Sequence, residues 1–119
     1  MENKTCSRCG QDKAAAEFYF RRSENRRHAY CRACHNAYTQ ERFKRRKLRA
    51  VEYLGGRCAD CGGAFHPSVF EFHHRDPSAK DLTGNQIKRV AWDAVRRELD
   101  KCDLLCANCH RLRHWDTET

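Results

Sequence analysis

Apolar residues are thinly spread along this chain, and they fall into two rhythms. From about Cys34 to Leu54 neither Gly nor Pro interrupts the sequence. Phe43, Ala50, Val51 and Leu54 recur there at helical spacing, which predicts one long helix closed by Gly55-Gly56. Such a helix spans roughly 31 Å, long enough to hold two modules apart. Ile87 to Leu99 predicts a second, amphipathic helix, with Ile87, Val90, Ala91, Ala94, Val95 and Leu99 on or near one face. Val69-Phe70-Glu71-Phe72-His73-His74 instead alternates like a strand, and Asp76-Pro77 breaks it. Glu17-Phe18-Tyr19-Phe20 is short, aromatic and strand-like, and Ser23 to His28 is a polar turn. Leu104-Leu105 leads into a last short helix ending near Trp115, with Asp116 to Thr119 expected to fray.

So few apolar positions make a marginal core. They are 39% of 119 residues, against 34% charged, and folds this small usually need metal or disulfide staples. The nine cysteines identify which. Cys6/Cys9, Cys31/Cys34, Cys58/Cys61 and Cys106/Cys109 are four pairs spaced by two residues, with Cys102 left over. That spacing suits tetrahedral zinc, and an odd count argues against a closed disulfide framework. Two structural zincs are therefore expected, each held by two pairs, with Cys102 a small buried side chain. Neither a signal peptide nor a long apolar run is evident, so the expected setting is the reducing cytoplasm, away from membranes. The pattern divides the chain into an N-terminal zinc-binding module (1–35), a basic linking helix (36–56) and a second zinc-stabilised domain (57–119).

Charge adds a partner. Eight thiolates and two zinc ions lower the formal +8 to about +4, which is still basic and unevenly placed. Arg42, Lys44, Arg45, Arg46, Lys47 and Arg49 crowd eight positions of the linking helix with no acid among them. Mixed charge would keep a linker soluble equally well, so this run points to tracking a phosphate backbone, with double-stranded DNA the expected partner.

The chemistry lies in the second domain. Its two cysteine pairs are separated by 44 residues, and the insert carries His73 and His74. A four-cysteine zinc has no open position for a reactive water, so any chemistry must use other groups. His110 and His114 sit four apart, on one helical face, and with His73-His74 they are the unassigned strong ligands near this zinc. Phosphodiester hydrolysis needs a base, a divalent cation and cationic clamps. Neighbouring strand residues point to opposite sides, so one of His73 and His74 can ligate metal while the other accepts a proton. Glu71 or a backbone carbonyl can orient one of the rings.

Phe72-His73-His74-Arg75-Asp76-Pro77, followed by Lys101-Cys102-Asp103-Leu104-Leu105-Cys106-Ala107-Asn108-Cys109-His110-Arg111 and His114, resembles the HNH endonucleases. The resemblance covers residues 57–115 and implies a small, zinc-stabilised α+β fold with a ββα-metal (His-Me finger) core. It implies His74 as general base, with His73 and His110 as ligands of a catalytic divalent cation and His114 as a further one. At the usual central Asn, nine residues before His110, this chain has Lys101. The N-terminal module, with Cys6/Cys9, Glu17-Phe18-Tyr19 and Tyr30-Cys31-x2-Cys34, looks more loosely like the start of phage recombination endonucleases.

The expected protein is thus a metal-dependent DNA endonuclease or nicking enzyme, phage-encoded by resemblance and acting in the host cytoplasm, with packaging proteins as possible partners. Its cation would be Mg²⁺, Mn²⁺, Ni²⁺ or Zn²⁺. Arg75, Arg111 or Arg113 would clamp the phosphate. The alternatives are a non-catalytic two-zinc DNA-binding protein, favoured by Lys101, and an RNA-directed nuclease. Oligomeric state stays open.

Overall fold

Residues 2–118, described by a computed structural model, form an α+β chain of two units that divide within helix α1, at Phe43 and Lys44. In the first unit, β1 (Asn3–Thr5) pairs antiparallel with β2 (Asp12–Ala14), and β3 (Phe20–Arg21) with β4 (Arg26–Arg27). The aromatic segment is less extended than its composition suggests. Ala15–Glu17 is a 3₁₀ turn, and Phe18 faces inward, fully buried against Cys6 and Cys31. A unit with so few apolar residues uses Phe18 as its core, which leaves only Phe20 and Arg21 for the strand. Helix α1 (Arg32–Tyr53) then runs to the two glycines. Gly55, at φ 98°, turns the chain left-handed so that its N–H reaches Glu52 O and that of Gly56 reaches Val51 O. Those bonds satisfy two of the last helical carbonyls.

The second unit is built on β5 (Phe70–His74), antiparallel to β6 (Cys102–Cys106) and followed at once by α4 (Ala107–Glu118). The register sets Phe70 against Cys106, His73 against Asp103 and His74 against Cys102. Phe70, Leu104 and Leu105 pack with Val51, Cys58 and Cys106, while Ala50, Val95 and Leu99 make an adjoining cluster. Helix α4 extends past Trp115 to Glu118, and Thr119, expected to fray, lies outside the described residues.

The amphipathic helix expected over 87–99 is broken in two, α2 (Gly84–Ile87) and α3 (Trp92–Leu99). Thr83 and Gln86 form a capping box that starts α2. The Arg46 guanidinium then donates to the carbonyls of Ile87 (3.1 Å) and Val90, which a continuous helix would have used internally. A tertiary cation has replaced the helical ladder across Lys88–Ala91. Among the described residues no helix is long and apolar enough to cross a membrane.

Because Leu105 is fully buried and Leu48 is exposed, Leu105→Ala should cost about 2–5 kcal/mol and Leu48→Ala less than about 0.5 kcal/mol. Chemical denaturation of the zinc-loaded protein checks both values.

Candidate metal centres and active-site cleft

Each cysteine cluster joins a turn to a helix start. Cys6 and Cys9 follow β1, while Cys31 precedes α1 and Cys34 lies in its first turn. Cys58 and Cys61 follow the glycines, while Cys106 ends β6 and Cys109 lies in the first turn of α4. In both groups the four Sγ atoms lie within 4.8 Å of one another, and Cys61 Sγ is 4.0 Å from Cys106 Sγ. Zinc–sulfur bonds of about 2.3 Å place tetrahedral sulfurs roughly 3.8 Å apart, so the donor sets fit. Electrostatics agree. Burial pushes the Cys6 thiol up, yet N–H groups of Cys9, Cys31 and Arg8 outweigh it and bring it to about 6. Cys58 is lowered to about 6 in the same way, against burial, by N–H groups of Cys61, Cys106 and Asp60. Cys34 and Cys109 are pushed to about 12, chiefly by the neighbouring sulfurs of Cys31 and Cys106. Four thiolates this close cannot coexist without a cation among them, and a structural dication would supply it. Two four-cysteine sites can therefore hold two structural metals. Cys102 belongs to neither: it is buried, and its S–H meets Glu98 O at 3.4 Å.

A third group contains no sulfur. His73 of β5 and His110 and His114 of α4 bring their ring nitrogens within 4.8 Å of one another. The Nε2 atoms of His110 and His114 are 3.0 Å apart. Glu71, two residues before His73 on β5, meets Nδ1 of His110. A proton held there leaves the Nε2 lone pair of His110 for a metal, the usual service of a carboxylate behind a ligating imidazole. His73 is held below the ordinary histidine range, first by burial and then by the charges of His110, Arg113 and His114. That favours the neutral ring a ligand needs.

His74 turns to another partner. Its Nε2 lies 2.7 Å from Oε1 of Glu98, whose residue is only 2% exposed. Burial pushes the Glu98 carboxyl up, but bonds from His74, Lys101 and the amides of Leu82 and Asp81 overcome it and hold it at about 2. Lys101 Nζ binds Oε2 of Glu98 at 3.2 Å, Asp81 Oδ2 at 2.6 Å and Ala79 O at 2.9 Å. One ammonium thus anchors both the carboxylate behind His74 and the loop after Pro77. Phe72, His73, His74, Lys80, His110 and His114 all line one cleft of about 230 Å³.

The predicted DNA-binding cations divide sharply. Arg42, Lys44, Arg45, Arg49, Arg75 and Arg111 are exposed, although Arg49 and Arg75 also have partners. Arg46 is committed to the α2–α3 break, Lys47 covers the Phe72 ring at 5.4 Å, and Arg49 stacks on Trp92 at 3.9 Å. Arg75 binds Cys102 O at 3.0 Å and Asp103 at 3.2 Å. Arg113 is forked onto Asp60 (2.5 and 2.8 Å) and reaches Asp103 at 2.8 Å, which raises its already high pKa. Glu98 escapes a reading of the sequence altogether. Its position three residues before Lys101 looks like an ordinary helical ion pair.

No family model matches the chain, and neither a curated protein nor a solved structure matches it.

Thiol modification of purified protein should release two equivalents of tightly held metal per chain. Cys106→Ser should lower that to one and Cys102→Ser should leave it at two, read by a chromogenic zinc chelator.

Proposed function

We propose that the chain is a metal-dependent DNA endonuclease or nicking enzyme of the HNH type, with β5, β6 and α4 as its ββα-metal core and zinc as its structural metal. The observation that carries this reading is the cleft itself. Three imidazoles converge as a ligand set, and a fourth, His74, stands beside them with a buried carboxylate at its back. A binding module has no use for a buried Glu98 held ionised against a histidine, since a buried charge is costly to keep.

In this reading His73, His110 and His114 would hold a divalent cation, which supplies charge stabilisation at the scissile phosphate and its leaving 3′-oxygen when bound. With Nε2 of His74 engaged by Glu98, the lone pair available for a proton is on Nδ1. His74 takes that proton from the water whose oxygen forms the new P–O bond as the bond to the 3′-oxygen breaks. Glu98 orients the ring and offsets the imidazolium charge, so it is a positioning residue. Lys101 takes over the bracing that a central asparagine gives in the family this resembles. Arg111, exposed on α4, is the cation best placed to meet the backbone, because Arg75 and Arg113 are already paired.

Supercoiled plasmid in Mg²⁺ or Mn²⁺ is the test, with all proteins matched for zinc. Wild type should nick or linearise it, and His74→Ala should be slower by about 100-fold or more. Glu98→Gln should lower kcat about tenfold with KM unchanged, and Glu98→Asp should recover part of the loss. Equal rates in wild type and His74→Ala, or no cutting across several metals, would overturn the reading in favour of a two-zinc binding protein.

A further inference from the structure

One residue of fixed positive charge lines the histidine cleft, and it is none of the cations that the sequence pointed to. Lys80 shares the walls with His73, His74, His110 and His114. Arg75 and Arg113, outside that lining, are held in ion pairs with Asp103 and Asp60. Arg111 lines a separate groove on α4, with Asn108, Leu112 and Trp115. Lys80 is exposed and forms no ion pair with the described residues.

The chain around Lys80 is held by the network that orients His74. Pro77–Ala79 is a 3₁₀ turn begun by Asp76, whose side chain accepts from the Ser78 N–H, and the Lys80 N–H closes it on Pro77 O at 3.3 Å. On either side of Lys80, Ala79 O and Asp81 Oδ2 accept from the Lys101 ammonium, at 2.9 and 2.6 Å. The Asp81 N–H donates to Oε1 of Glu98 at 3.1 Å, the oxygen that also meets His74. Lys80 itself has extended backbone, where successive side chains alternate, so Asp81 turned to Lys101 leaves Lys80 turned the other way. Both neighbours are tied down, while Lys80 keeps a flexible stem and an uncommitted ammonium.

The cleft has use for such a charge. Histidines serving as metal ligands or as a base bring no fixed positive charge, and Glu71 and Glu98 are acids behind two of them. A phosphodiester entering there is an anion, and further negative charge develops on its oxygens as water adds. A cation that meets this growing charge more strongly than the ground state lowers the barrier. On the nuclease reading of this cleft, on which the assignment rests, we infer that Lys80 is a catalytic residue whose ammonium contacts a non-bridging oxygen of the scissile phosphate. It transfers no proton. The water oxygen forms the new P–O bond, His74 takes the proton, and the electron pair of the breaking bond leaves with the 3′-oxygen. Arg111, on its separate groove, is left for the strand beyond the cleft.

Two measurements on the full-length, zinc-loaded protein test this, one of them independent of cutting. The first is the salt dependence of duplex DNA binding, by fluorescence anisotropy with no added divalent metal. Lys80→Ala should lower the salt slope by about 1, and Lys80→Arg should restore it. The second is plasmid cleavage in Mg²⁺ or Mn²⁺ at saturating DNA. There Lys80→Ala should lower kcat at least about tenfold, with Lys80→Arg recovering part of the loss and Lys80→Gln none. Metal content of two per chain shows that each variant has folded. An unchanged slope in Lys80→Ala would overturn the proposal whether or not the chain cuts, as would a lowered slope with kcat within twofold of wild type. A lowered slope in a chain that never cuts would sink the nuclease reading and leave Lys80 standing as a phosphate contact. A wild type that binds no duplex would overturn both.

Discussion

Everything in the second unit hangs on four sulfurs. Cys58 and Cys61 belong to the turn that leaves α1, whereas Cys106 and Cys109 straddle the junction of β6 and α4. Four thiolates confined within 4.8 Å demand a cation, and the bond lengths of that cation then set the angle at which α4 leaves the hairpin. Because His110 follows Cys109 directly, that angle also decides whether His110 and His114 reach His73 across the strand. A metal held by the four cysteines would thus also place the three histidines. Apolar burial alone would not hold this geometry, since Phe70, Leu104, Leu105 and a few neighbours are all the core there is.

A second constraint is electrostatic. Glu98 is a carboxylate in the interior, and the cost of desolvating it is met by His74, Lys101 and two backbone amides. Removing any one partner leaves the others facing an underpaired charge, so the network defines a single orientation of the His74 ring. Lys101, which departs from the pattern the motif resembles, thereby acquires a role. Its ammonium ties Glu98 to Asp81 and to Ala79 O, bracing both the ring's support and the loop beside the cleft.

The parts of this architecture that depend on local pattern were legible in the sequence: the four cysteine pairs, the long helix with its glycine stop, and a strand ending in two histidines. The i, i+4 spacing of His110 and His114 placed them on one face before any coordinates. Long-range partners were not legible. Arg46 breaks the helix expected over 87–99 by claiming the carbonyls of Ile87 and Val90, and no periodicity announces a cation arriving from 41 residues away. Glu98 looked like one more polar helical residue, because burial is a property of the fold and not of the residue. The basic run on α1 meets the same limit. Charge density could be counted, but which side chains would lie on Phe72 and Trp92 could not.

The proposed function requires one fold to build a closed metal site and, from it, an open one. Cobalt(II) titration of zinc-loaded protein tests it most directly, because a site of nitrogen and oxygen ligands absorbs differently from one of four sulfurs. One further equivalent per chain is expected, with no sulfur-to-cobalt band, present in wild type and in His74→Ala and absent from His73→Ala and His110→Ala. The absence of a further site in wild type, or its loss in His74→Ala alone, would contradict it.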